Sequence, residues 1–251
     1  MLQSEARRSS YFPGSLPISI KSKCDPEMLN MTAPQTHHIL EQTVTIKNEN
    51  TVLGGLLGLS FTASGIVLFA HGSGSGRFSP RNRFVAQHLQ QGGIATLLID
   101  LLTTDEADDR RNVFDINLLA DRVLMASAWI REDSRTKQLP LGYFGASTGA
   151  AAALQAAARG SFPVDAIVSR GGRPDLAERY LAEVTAPTLL LVGGEDQPVI
   201  EMNRHAYRLL RCAKQLTIIP GATHLFEESG TLEKVAEQAL SWFQQHLAHP
   251  A

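Results

Sequence analysis

Leu141-Gly142-Tyr143-Phe144-Gly145-Ala146-Ser147-Thr148-Gly149-Ala150 is the stretch that decides the fold of this 251-residue chain. An apolar run, Leu141 to Phe144, passes without a linker into an Ala-rich helical stretch, Thr148 to Arg159. A strand that becomes a helix at one serine needs a strained backbone there. Gly145 and Gly149 remove the Cβ atoms that would clash in so tight a turn. The pattern is G-x-S-x-G, and it exposes Ser147 at a helix N-terminus, where the Thr148 N–H can stabilise an oxyanion. The competing reading is a helix N-cap serine after a glycine turn.

On either side, short apolar runs alternate with helical patterns. Strands are expected at Val44–Lys47, Leu53–Leu59, Ile66–Ala70, Ile94–Asp100, Leu141–Phe144, Ala166–Ser169, Thr188–Gly193 and Leu216–Ile219. Helices are expected near Pro80–Gln91, Ile116–Arg131, Thr148–Arg159, Pro174–Leu181, Val199–Leu210 and Thr231–Leu247. Strands that are apolar at successive residues are buried on both faces. Repeated strand–helix–strand units therefore imply an α/β fold: a mostly parallel central sheet with helices on both faces, its two early strands pairing antiparallel. Residues 1–38, polar and broken by Pro13, Pro17, Pro26 and Pro34, read as an extension with little structure of its own. Residues 39–251 read as a single domain, and Met28 or Met31 could serve as an alternative start.

Composition narrows the class further. At 43% hydrophobic and a formal net charge of −2, the chain is neither disordered nor a polyelectrolyte drawn to nucleic acid or an anionic membrane. Cys24 and Cys212 are too few for a disulfide framework and carry no C-x-x-C spacing for a metal. No apolar stretch approaches the roughly 18 residues of a membrane span. Arg7 and Arg8 suggest twin-arginine export, but no continuous apolar segment follows them. The expectation is a cytoplasmic protein.

Sites in such sheets form at the carboxyl ends of the strands. His224, in Pro220-Gly221-Ala222-Thr223-His224, follows the last strand and can reach over the sheet edge as the base a serine hydroxyl needs. Asp196, in Gly193-Gly194-Glu195-Asp196, follows the preceding strand. An acid there would orient the imidazole, with Glu195 as a substitute and helix N-capping as the rival role. In His71-Gly72-Ser73-Gly74-Ser75-Gly76-Arg77, neither phosphate-loop pattern fits. The Ser73 N–H is instead the candidate second oxyanion donor, with His71 ordering the loop by hydrogen bonding.

The order Ser147, Asp196, His224 is that of the α/β-hydrolases. From about Thr43 to Leu247 the chain resembles the dienelactone hydrolase-like branch of that superfamily, through VLFAHGSGSGRFSPRNRFVA, YFGASTGAAAAL, LLLVGGEDQPV and PGATHLFEE. The resemblance implies a Ser/Cys–Asp–His hydrolase of esters or lactones, without metal or organic cofactor. The namesake enzymes use a cysteine nucleophile where this chain has Ser147, which favours ordinary carboxylester chemistry. Relatives of this subgroup are found joined to phosphoribosyltransferase-like domains, so such a domain is an implied partner. A monomer or small homo-oligomer acting on a small-molecule substrate is expected.

Only about 18 residues separate the strand ending near Ser169 from that starting near Thr188, too few for a large cap domain. The pocket should be covered at most by residues 103–115 and 169–174, which suits short-chain or small cyclic esters. Arg77, Arg81, Arg170 and Arg173 could bind a carboxylate or phosphate on the substrate, or pair with the acidic Thr104–Asp109 segment. A thioesterase or acyltransferase would use the same three residues. A non-catalytic binding subunit on a hydrolase fold is the alternative of a different class.

Overall fold

The computed structural model describes residues 39–60 and 62–247. They belong to Thr36–Ala251, the second of two units into which the chain divides. The expectation for residues 1–38 lies outside the described residues. Strands β1 (Ile39–Lys47) and β2 (Val52–Ser60) form an antiparallel hairpin. The five strands that follow, β3 (Ile66–Ala70), β4 (Ala95–Ile99), β5 (Leu141–Ala146), β6 (Ala166–Arg170) and β7 (Thr188–Gly193), are buried at every residue. That burial on both faces is why their sequences read as continuous apolar runs. With β8 (Lys214–Ile219) they complete an eight-stranded sheet of order β1-β2-β4-β3-β5-β6-β7-β8. From β4 to β8 all neighbours are parallel, and β2 meets β4 antiparallel.

Alternate residues of each strand feed two cores. Ile66, Leu68, Leu141 and Tyr143 pack with helices α3 (Ile116–Glu132) and α4 (Thr148–Arg159). Val67, Phe69, Phe144 and Val168 pack on the other face with α1 (Pro80–Gln91) and α6 (Thr231–His246), where Phe69 and Phe144 stack with ring centres 4.8 Å apart. The α4 alanines 150–153 are fully buried, so that helix lies close against the sheet. Helix α5 (Gln197–Leu209) crosses from β7 to β8. This is the α/β-hydrolase fold.

Between β6 and β7 the chain holds two short 3₁₀ turns within Pro174–Glu183, separated by a kink at Ala177, in place of the one short helix expected there, and no cap domain. The segment after β4 contains elements the sequence reading left out, α2 (Thr104–Asp108) and a 3₁₀ turn, Asn112–Phe114. The signal for α2 was present. Thr103-Thr104-Asp105-Glu106 is a capping box, with the Thr103 hydroxyl accepting from the Glu106 N–H and Glu106 Oε2 accepting the Thr103 N–H at 2.9 Å. Glu106 also receives Arg122 of α3, whose Nη1 donates to Thr51 Oγ1 at 2.9 Å. One guanidinium, that of Arg122, thus ties α3 to α2 through Glu106 and to the β1–β2 turn through Thr51.

Burial works to raise the Glu106 pKa, but the Thr103 N–H and the Arg122 guanidinium outweigh it and hold the carboxyl below its ordinary 4.5. A depressed acid contributes stability that is complete above its ordinary pKa and is lost as pH falls through the folded value. We predict that the protection factors of the α2 amides, with intrinsic exchange rates divided out, fall in Glu106→Gln at pH 7, as they do in the parent protein once acid protonates Glu106. Equal exchange in variant and parent at pH 7 would deny the carboxylate this role.

Candidate active site

The strand order reverses between β3 and β5, so the loops at their carboxyl ends converge. Ser147, between β5 and α4, has φ 51° and ψ −120°, a conformation L-residues avoid at a cost of about 1–3 kcal/mol. Two backbone hydrogen bonds hold it there. The Ser147 N–H donates to Arg170 O at 3.2 Å, and the Arg173 N–H donates to Ser147 O at 3.1 Å. The glycines of the motif are required by close approach. A Cβ on Gly149 would lie 2.2 Å from Ala70 O, and one on Gly145 would lie 2.4 Å from Ala150 Cα. The serine is half-buried and its hydroxyl makes no hydrogen bond among the described residues, so it does not act as a side-chain N-cap.

The loop after β3 closes on this elbow. A Cβ on Gly72 would stand 3.0 Å from Ser147 Cβ. His71 orders the loop as expected. Its Nδ1–H donates to Gly72 O at 2.8 Å, and its Nε2 accepts the Leu101 N–H at 2.9 Å. A carbonyl can only accept and an amide can only donate, so the ring is neutral with the proton on Nδ1. Fixing Gly72 O fixes the Gly72–Ser73 peptide plane, and with it the direction of the Ser73 N–H on the opposite edge. Neither that N–H nor that of Thr148 has an acceptor among the described residues.

On the far side, the β7 and β8 loops are joined by backbone contacts. The Glu195 N–H donates to Ala222 O at 2.9 Å, and the Gly194 N–H to Ile219 O at 2.8 Å. Gly193 admits this approach, since a Cβ there would lie 2.4 Å from Ala222 O. His224 Nδ1–H then donates to Asp196 Oδ2 at 2.6 Å. Asp196 occupies the N-cap position of α5 yet gives that helix no side-chain bond, and Glu195 is exposed. Glu228, which the sequence reading did not single out, braces the loop by accepting from the Thr223 hydroxyl at 2.7 Å and from the Thr223 N–H at 3.1 Å. His224 is not hydrogen-bonded to Ser147. Its ring edge stands over the segment that clasps the serine, because a Cβ on Gly171 would lie 3.6 Å from His224 Cε1.

A cavity of about 380 Å³ opens beside the elbow, lined by His71, Ser73, Leu101, Thr103, Val113 and Thr148 among others. Its outer wall is the α2 segment. The four candidate arginines are not alike. Arg77 pairs with Asp100, Arg81 with Glu227 at 3.1 Å, and Arg173 with Asp175 at 2.7 Å, so none of them answers the Thr104–Asp109 segment. Arg170 has no ion pair among the described residues. No group of three His, Cys, Asp or Glu side chains among the described residues is placed to hold a metal ion.

An elbow serine between β5 and α4, with a hydrogen-bonded His–Asp pair on the last two loops, is the arrangement of the α/β-hydrolase fold class. The chain belongs to the dienelactone hydrolase family, whose sequence profile matches residues 65–247. The dienelactone hydrolase of Anabaena variabilis is 54% identical with a TM-score of 0.81, over 84% of this chain and all of that one. The Butyrivibrio proteoclasticus protein Est1E shares the fold at 16% identity and a TM-score of 0.70, over 81% of this chain and 98% of that one. Two Mycobacterium tuberculosis proteins, each named "Putative phosphoribosyl transferase", are 59% identical over 186 residues, which is 74% of this chain but 42% of theirs. The chain therefore matches less than half the length of those relatives. No helix among the described residues is long and apolar enough to cross a membrane.

Burial pulls the His71 pKa down, against the smaller opposing effect of its bond to Gly72. The native state therefore resists the proton that the unfolded chain takes up below about pH 6.5, so stability holds above that pH and falls beneath it. We predict that His71→Asn flattens the fall in urea midpoint between about pH 6.5 and 5. A parallel fall in both proteins would show that His71 is not the group responsible.

Proposed function

We propose that the chain is a serine hydrolase of small carboxylic esters or lactones. The observation that carries this reading is the strained Ser147 elbow, facing two backbone N–H groups without acceptors. Ser147 Oγ attacks the ester carbonyl carbon while His224 Nε2 takes its proton, and Asp196 holds the imidazole in the tautomer that can accept it. The N–H groups of Ser73 and Thr148 receive the oxyanion. His224 returns the proton to the departing alkoxide, and water, activated by the same imidazole, releases the acid from Ser147. The 2.6 Å His224–Asp196 bond and the neutral, bridging His71 support these assignments. A small cavity and the absence of an inserted cap favour short acyl groups.

Replacing Ser147 with Ala should lower kcat/KM for p-nitrophenyl acetate by about 10⁴ or more and abolish labelling by a fluorophosphonate. Ser147→Gly should be equally inactive yet more stable, by about 1 kcal/mol, because glycine adopts the positive φ without strain. Residual turnover near the parent value in either variant would remove Ser147 from the mechanism. Across a p-nitrophenyl ester series, kcat/KM should peak at acetate to butyrate. A peak at long acyl chains would contradict the small-substrate reading.

A further inference from the structure

Arg170 ends β6 with its side chain on the α1/α6 side of the sheet, the side taken by Ala166 and Val168. It is 8% exposed, and its Nε and Nη1 are fully buried without an acceptor. The guanidinium sits 6.0 Å from the centre of the Phe226 ring, two residues beyond His224. Arg81, at the start of α1, is close enough to act on it electrostatically. That arginine spends one nitrogen on Glu227 but leaves its own buried Nε unanswered. Burial and then the Arg81 charge draw the Arg170 pKa down to about 10, so the group is still a cation at neutral pH.

A buried cation is costly unless a negative charge meets it. Arg77, Arg81 and Arg173 each have a carboxylate, whereas no carboxylate among the described residues reaches Arg170. The residue is also bound into the site: its carbonyl accepts the Ser147 N–H, and Gly171 beside it underlies the His224 ring. We propose that Arg170, with Arg81 at its mouth, forms a recessed site for one oxyanion, a carboxylate or phosphate carried by the ester substrate. The planar fork of an arginine suits both groups. The substrate assignment rests on the hydrolase reading of Ser147, while the anion site does not.

Two measurements on the full chain separate these claims. The unfolding temperature is followed against inorganic phosphate and against succinate, with chloride at matched ionic strength as control. A saturable rise of several degrees is expected in the parent protein, reduced in Arg81→Gln and lost in Arg170→Met. Arg81 is partly exposed, so its variant keeps the test valid if the Met variant does not fold. Separately, kcat/KM is compared for p-nitrophenyl hemisuccinate and p-nitrophenyl butyrate, which differ in a terminal carboxylate. The carboxylated ester should be preferred at least tenfold, and that ratio should fall toward one in Arg170→Met. No saturable thermal shift with either anion overturns the site, even if esters are hydrolysed normally. A saturable shift without preference for the carboxylated ester overturns its role in substrate recognition. A saturable shift with no ester hydrolysis at all supports the anion site and overturns the hydrolase reading instead.

Discussion

The unfavourable backbone of Ser147 is the constraint on which the rest of this structure depends. A residue at φ 51° persists only where its surroundings over-determine it. Here the surroundings are the segment after β6, which accepts the serine N–H at Arg170 and donates to the serine carbonyl from Arg173. In that segment Gly171 adopts a positive φ, and a Cβ on Gly172 would collide with Ser169 Oγ, so both positions call for glycine. The same elbow presses the first turn of α4 against the carbonyls of Ala70 and His71, where only Gly149 fits. One strained residue thereby sets the chemistry of three loops.

The second half of the site is assembled by ordinary backbone pairing. Donation from Gly194 and Glu195 draws the β8 loop over the end of β7 before any side chain is involved. This arrangement also decides between the two adjacent acids. Glu195 uses its N–H as the tether and keeps its side chain in solvent, leaving Asp196 to meet the imidazole.

Much of this was legible in the sequence because burial on both faces leaves uninterrupted apolar runs, and β3, β7, α1 and α4 begin and end where the pattern places them. Strand ends were less visible where polar or small residues continue a ladder. Arg170 and Gly145–Ala146 lie on paired strands although neither is apolar enough to extend the run. The α2 segment was missed because five residues, four of them polar, carry no hydrophobic period, although its capping box could have been found. The pairing of each arginine was not legible, because Asp100, Glu227 and Asp175 become neighbours only through the fold or through local geometry. Sequence treats the four arginines alike, and three-dimensional arrangement leaves only Arg170 without an acid.

The position of β8 has a consequence for how the molecule fails. It is one of the sheet's two edge strands, hydrogen-bonded to β7 alone and only partly covered, and the loop bearing His224 hangs directly from its end. Ser147 sits at the opposite extreme, at the end of a strand flanked on both sides and closed in by two cores. Local opening is easiest where few buried contacts hold the backbone. Loss of the β8 pairing alone would carry His224 away from Ser147 while the strands flanked on both sides stay paired, so the geometry joining the two loops is held by less of the sheet than the serine itself.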